Sequence, residues 1–204
     1  MLDAGEISVT GVARGAAREV LGRIAEPGQA AAIWTRGRSR RFADWIDALP
    51  AENLPGLRVD CPVARLAETA GAACETAGLP ASGARGVLCA DIALLGDLFA
   101  RVMGCDRLRL RLDVVNDDAC ARFHLDNVPA RLLCTYRGSG TEYGLRRAEG
   151  DPDPVARMRP GDVGLFRGGT WPGAPRPGLV HRSPPIAGTG ATRLLLVMDL
   201  PAAG

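Results

Sequence analysis

The sequence predicts an α+β fold: a double-stranded β-helix, or jelly-roll, barrel with N-terminal helices packed outside it. Three observations point there. Residues 1–106 are rich in Ala, Leu and Glu with apolar residues at helical spacing. From Arg107 the period changes to two, beginning with the strict alternation Arg107-Leu-Arg-Leu-Arg-Leu112. Eight short strand candidates then follow, separated by Gly, Pro, Asn and Asp turns, the pattern of a barrel or double-sheet jelly roll. Helices first and strands later place the helices on the outside. The expected organisation is a helical region at 1–106 packing on a barrel at 107–204, the two forming one structural unit.

The helical candidates come first. Gly15–Ala25 is a short amphipathic stretch stopped by the breaker pair Pro27-Gly28. Ala30–Trp34 reads as a short strand. Arg40–Leu49 carries Phe42, Trp45, Ile46 and Leu49 at helical spacing and ends at Pro50. Arg65–Ala77 is closed by Gly78. Gly86–Met103 is the longest, with Val87, Ile92, Leu94, Leu95, Leu98, Phe99 and Val102 on a broad apolar face.

The strand candidates are Arg107–Leu112, Ala119–His124, Ala130–Tyr136, Thr141–Leu145, Val155–Arg159, Val163–Arg167, Gly178–Ser183 and Thr192–Leu200. The last is strongly apolar.

Composition narrows the function classes. In 204 residues, 47% are hydrophobic and 24% charged, so the chain can bury an ordinary core and is not a disordered one. A net charge of +2 gives no electrostatic footprint for nucleic acid. Every basic residue is Arg, which we read with the abundant Ala and Gly as composition bias. No apolar run is long enough to span a membrane. The N-terminal MLDAGEISVTGVARG has no basic region leading into an apolar stretch, so no secretory leader is expected. Six widely spaced cysteines without a CxxC pair suit reduced thiols, mostly buried, in a cytoplasmic protein.

Only two histidines are present, His124 and His181. On an extended segment, residues i and i+2 point the same way, so His124 and Asp126 present an imidazole and a carboxylate to one face. An HxD pair alone is common by chance, and an isolated buried His is more often a satisfied core residue than a ligand. Placement argues further. In a jelly roll the second and seventh strands lie side by side at the open mouth, and His181 falls on the seventh. Two His and one carboxylate make the facial set that leaves open positions on Fe(II). Arg193 opens the eighth strand at the same end, where its guanidinium can clamp a carboxylate with a bidentate fork.

This arrangement resembles the Fe(II)/2-oxoglutarate-dependent oxygenases over about residues 107–200, through His124-Leu-Asp126-Asn127, Arg159-Pro-Gly-Asp-Val-Gly-Leu-Phe166, Val180-His181 and Gly190-Ala-Thr-Arg193. The resemblance implies His124, Asp126 and His181 as iron ligands and Arg193 as the partner of the distal 2-oxoglutarate carboxylate. Thr135 or Tyr136 would add a hydroxyl to that carboxylate, and strand parity lets only one of them face inward. Arg182 is the alternative clamp. The substrate, small molecule or protein, is not implied. Gly168–Gly178, which holds Trp171, is the one lid candidate.

A closer resemblance covers nearly the whole chain. Cys120-Ala-Arg-Phe-His-Leu-Asp-Asn-Val, Arg131-Leu-Leu-Cys-Thr-Tyr-Arg-Gly-Ser-Gly-Thr-Glu142 and His181-Arg-Ser-Pro184 are similar to a bacterial family called domain of unknown function 1826. Genes of that family often lie beside those of zinc-responsive metal chaperones. The resemblance therefore implies an alternative, a non-redox zinc-binding protein linked to metal homeostasis, using the same His/Asp/His set, with Cys120 as a possible addition.

The remaining polar residues have plainer readings. Cys120 is expected as a small core residue and Cys134 as core. Ser183 caps a strand end, and Glu142 flanks a turn. Arg107, Arg109 and Arg111 form one solvated strand face.

Overall fold

The computed structural model describes residues 9–173 and 175–201. Most of the N-terminal stretch read for a leader, residues 1–8, lies outside them. The fold is a mixed α+β one built on a seven-stranded sheet. In chain order the strands are β1 (Gly11–Gly15), β2 (Gln29–Trp34), β3 (Leu57–Pro62), β4 (Arg107–Val115), β5 (Ala130–Arg137), β6 (Glu142–Leu145), β7 (Ala156–Arg157), β8 (Val163–Arg167), β9 (Leu179–Arg182) and β10 (Arg193–Asp199). The large sheet runs β1-β2-β8-β5-β10-β4-β3, and a small one runs β7-β6-β9.

The helices are α1 (Arg40–Ala48), α2 (Leu66–Thr76) and α3 (Gly83–Met103). Ser39 caps α1 by accepting from the Phe42 amide, and Ser82 caps α3 by accepting from the Arg85 amide, each satisfying an otherwise orphaned N–H. Gly104 ends α3 in the left-handed conformation at φ 65°. Ile92, Leu95 and Phe99 of α3 are fully buried, as the apolar face predicts, and Leu88 joins them, whereas Val87, expected on that face, is exposed. No helix among the described residues is long and apolar enough to cross a membrane.

Alternation within the strands creates two cores. Leu108, Leu110 and Leu112 of β4, Leu132, Cys134 and Tyr136 of β5, and Leu194, Leu196 and Met198 of β10 face the helices. The opposite face carries Leu133, Phe166, Leu195 and Val197, which meet Tyr143 and Leu179 of the small sheet in a second cluster. The candidate site lies on this second face.

Three expectations are corrected. Arg18–Ala25 is a 3-10 helix; with Gly22 inside and Pro27 just beyond, it still buries Val20, Leu21 and Ile24. Residues 1–106 are more than a helical layer, because β1, β2 and β3 belong to the large sheet. Residues 119–124 do not form a strand. Only His124 bridges, to His181. The neighbouring β9 ends at Arg182 and runs into Pro184-Pro185, which have no N–H to extend a ladder. Instead, Asp118 accepts from the Ile186 and Ala187 amides and ties the loop down by its side chain.

All six cysteines are free. Cys61, Cys74 and Cys134 are buried, but Cys120, expected in the core, is exposed because its loop forms no strand.

Candidate metal and carboxylate site

His124 and His181 exchange both backbone hydrogen bonds, N to O at 3.0 Å each way. Their rings lie 4.8 Å apart, centroid to centroid. Asp126 is carried inward by the turn after His124. That turn rests on the end of β8, where the Gly169 amide donates to the Asp126 carbonyl at 2.7 Å and the Gly168 amide to the Pro129 carbonyl at 2.8 Å. A Cβ on Gly168 would lie 1.9 Å from the Val128 carbonyl oxygen, so only glycine allows this approach.

The three side chains converge. One ligand atom from each of His124, Asp126 and His181 lies within 4.8 Å of the others. Asp126 Oδ1 is 3.6 Å from His124 Nε2, and Asp126 Oδ2 is 3.1 Å from His181 Nε2. His124 Nδ1 is 2.9 Å from the Arg122 carbonyl. A carbonyl only accepts, so Nδ1 carries a proton and Nε2 is the ring nitrogen that faces Asp126. Phe166 packs on the His181 ring at 5.0 Å and helps fix its plane.

Asp126 Oδ2 is buried without a hydrogen-bond partner, its contact with His181 lacking the alignment of one. Buried carboxylate oxygens are rarely left so, since each unmade bond is costly. Burial opposes the charge on Asp126, but the two imidazoles and the Arg131 guanidinium hold its pKa well below the carboxylate range. An anionic oxygen without a partner, beside two imidazole nitrogens, fits a divalent cation of the kind these donors take.

Arg193 is fully buried. Its Nε donates to the Ser139 carbonyl at 2.7 Å, its Nη1 to Ser183 Oγ at 2.7 Å and its Nη2 to Thr135 Oγ1 at 3.3 Å. Gly138, at φ 79°, brings the chain close enough that a Cβ would stand 2.8 Å from Arg193 Cγ. No carboxylate pairs with Arg193 among the described residues. Burial lowers its pKa to about 10, against the pull of Cys120 and Glu142, so it stays cationic at neutral pH. Ser183 is two residues beyond His181, a rise of about 7 Å along the chain, so this lone cation lies close to the three candidate ligands.

Strand parity separates the two hydroxyl candidates. Thr135 sits with Arg193. Tyr136 points to the helical face, where its hydroxyl donates to Asp91 Oδ2 at 2.7 Å. Asp91 also takes both Arg36 guanidinium nitrogens, at 2.6 and 2.7 Å, beside a small cavity of about 160 Å³. Tyr136 is therefore removed from the candidate co-substrate set. Arg182 is occupied too: it donates to Glu142 at 2.7 Å and Asp151 at 3.1 Å and lies over the Phe123 ring. Glu142, expected at a turn, is buried between Arg182 and Arg157.

Cys120 is not one of the converging donors. Of the lid candidate, Trp171 lies under the Arg167 guanidinium at 4.5 Å, and Ala174 is outside the described residues.

Arg131 went unnoticed in the sequence. Its Nη1 donates to Asp126 Oδ1, while Nε and Nη2 grip Asp199 at 2.7 and 2.9 Å. It shares strand parity with Thr135, which was the available signal.

The family model described as protein of unknown function (DUF1826) matches residues 15–199. No curated protein matches the sequence. Among solved structures, the chain is similar to the dioxygenase for auxin oxidation of rice, at 15% identity and TM-score 0.53, covering 91% of this chain and 76% of that one. It is also similar to dioxygenase for auxin oxidation 1 of Arabidopsis thaliana, in complex with 2-oxoglutarate, at 10% identity and TM-score 0.54, covering 97% and 94%. At such identities the likeness concerns the fold. The chain belongs to the DUF1826 family.

Proposed function

We propose that this member of the DUF1826 family is an Fe(II)/2-oxoglutarate-dependent oxygenase, with its two facing sheets forming the double-stranded β-helix of that fold. The observation that carries the reading is the pairing of two unmet needs at one site. Asp126 Oδ2 lacks a hydrogen-bond partner, and Arg193 lacks a carboxylate among the described residues. A metal answers the first, and a dicarboxylic co-substrate reaching from the metal into the fold answers the second.

In this reading His124, Asp126 and His181 hold the metal, and bound Fe(II) with 2-oxoglutarate supplies the activation of O₂ for substrate oxidation. The chain's own residues set the stage. The Arg122 carbonyl fixes the His124 tautomer, leaving Nε2 free to ligate. Arg131 anchors one Asp126 oxygen and leaves the other for the metal. Arg193 binds the distal carboxylate of the co-substrate, with the Thr135 hydroxyl beside it. Phe166 shields His181 from water.

Zinc on the same three donors is the second reading, since two His and a carboxylate also suit a catalytic zinc site. Elemental analysis of the purified protein, followed by Fe(II) and 2-oxoglutarate addition without oxygen, separates the two. A weak visible charge-transfer band that needs both additions supports the oxygenase. Stoichiometric zinc without such a band overturns it.

A further inference from the structure

Beside the candidate metal site, an open groove of about 650 Å³ is lined by Arg58, Arg109, Arg111, Asn127, Arg131 and Asp199, among others. Two of these residues join it to the site: Asn127 follows Asp126, and Arg131 donates to it. The floor is the part of the large sheet formed by β3, β4, β10 and β5, on the face away from the helices.

Register shows how differently two rows of this floor are built. In one row, Asp60 of β3 stands opposite Arg109 of β4, Arg109 opposite Asp199 of β10, and Asp199 opposite Arg131 of β5. Charges alternate across four strands. Arg109 binds Asp60 at 2.8 and 3.1 Å, and Arg131 binds Asp199 at 2.7 and 2.9 Å. This row is neutral and satisfied.

The next row is not. Arg58 stands directly opposite Arg111, and Arg111 opposite Val197. Two like charges facing each other across strands are destabilising. Neither guanidinium makes a hydrogen bond among the described residues. Their nearest carboxylate, Asp113, is 3.9 Å from Arg58 and 3.5 Å from Arg111, and Asp199 is 3.9 Å from Arg111. Arg111 Nε is buried with no partner. Asp113 and Asp199 thus form only long ion pairs with the two guanidiniums, without the paired hydrogen bonds by which a planar fork holds an oxyanion.

We propose that the Arg58–Arg111 pair binds the oxyanion, carboxylate or phosphate, of a small-molecule substrate lying along this groove. The inference rests on the oxygenase reading for the word substrate; the oxyanion site itself needs no metal. Bound there, the anion relieves the Arg58–Arg111 repulsion and satisfies Arg111 Nε. The rest of the molecule then extends past Arg131 and Asn127 toward Asp126. Selectivity comes from the neutral row beside it, whose guanidiniums are already taken and do not compete for the anion.

The test follows the arginine Nε–H signals by ¹⁵N NMR in the intact metal-free protein. Inorganic phosphate and benzoate are titrated separately. A saturable shift at Arg111 with either probe is expected, and the probe that produces it identifies the oxyanion. Arg58→Gln, on a mostly exposed side chain that leaves the fold intact, should weaken binding about tenfold or more, as should Arg111→Gln. Arg147→Gln, outside the groove, should bind as the parent does. Shifts that never saturate, an unchanged affinity in Arg58→Gln, or saturable binding of a single-stranded oligonucleotide in place of both small probes would each overturn the proposal. His124→Ala separates it from the oxygenase reading. That variant should lose Fe(II) and keep the anion; anion binding in a parent protein that itself takes up no Fe(II) sinks the oxygenase reading alone, whereas Fe(II)/2-oxoglutarate chemistry without an anion at Arg111 sinks only this one.

Discussion

His124 and His181 are joined by a complete two-hydrogen-bond bridge, so both imidazoles are set by one backbone pair. No strand surrounds His124 to hold it otherwise. The bridge makes the separation of the two rings a property of local geometry, and the turn to Asp126 supplies the third donor.

Removing one imidazole should therefore abolish tight metal binding without unfolding the chain. His124 is only half-buried, and its backbone contributes the bridge whatever its side chain. His124→Ala should keep its thermal midpoint within a few degrees of the metal-free parent and lose stoichiometric Fe(II) or Zn²⁺ on elemental analysis. Full metal content in this variant would place the metal elsewhere.

Gly168 is the second control on the site. Its added methyl would overlap the Val128 carbonyl, and that loop carries Asp126. Gly168→Ala should destabilise the protein by about 1–3 kcal/mol, the range for forced overpacking. Metal affinity should fall as well, because the Asp126 turn must move. Urea denaturation and a metal titration measure the two effects, and a variant as stable as the parent would mean the contact relaxes freely.

Acid should act through Glu142. Burial raises its pKa, but Arg157 and Arg182 more than compensate and hold it below its ordinary value of about 4.5. A carboxylate with a depressed folded pKa stabilises fully above the unfolded value and loses that stabilisation as pH falls through the folded one. Stability should thus decline as pH drops below about 4.5. Glu142→Gln should be less stable than the parent at pH 7 and should decline less steeply in acid, as urea midpoints at several pH values will show. Parallel pH profiles would remove Glu142 from acid unfolding.

Much of this was legible in the sequence, and the exceptions have physical reasons. The capped, periodic helices α1 and α3 and the apolar strands β5 and β10 carry their signals locally. Strands β1 and β3 are the two edges of the large sheet: β1 is glycine-bounded without a clean alternation, and β3, although Leu57–Cys61 alternates, is short and ends in Pro62. His124, Asp126, His181 and Arg193 stood out because histidine is scarce and the spacing is specific. Parity sends Thr135 and Tyr136 to opposite faces, but which of them joins the site depends on long-range partners: Arg193 of β10 beside Thr135, and Asp91 of α3, which takes the Tyr136 hydroxyl. For Arg131 parity with Thr135 is the only local signal, because its role depends on β5 pairing with β10, which brings Asp199 to its guanidinium.

Arg193 gives the sharpest test of the co-substrate. It is fully buried, and its hydrogen bonds to Ser139, Ser183 and Thr135 all reach neutral acceptors. A lone buried cation is costly, and a carboxylate delivered to it recovers charge-assisted bonds worth about 1.5–3 kcal/mol. Arg193→Ala should therefore bind 2-oxoglutarate roughly tenfold to a hundredfold more weakly while keeping its metal. The same loss is readable in stability. At a 2-oxoglutarate concentration near 100 times the parent Kd, the ligand should stabilise the parent by about 2.7 kcal/mol and a tenfold-weakened variant by about 1.4 kcal/mol. Because each protein is compared with its own ligand-free form, any folding defect from truncating Arg193 cancels. Arg182→Ala serves as the contrast: its guanidinium is held by Glu142 and Asp151, so its 2-oxoglutarate response should match the parent's. Equal ligand stabilisation in Arg193→Ala and the parent would exclude Arg193 as the carboxylate partner. With it would go the argument for a dicarboxylic co-substrate, and zinc on the same three donors would become the leading reading.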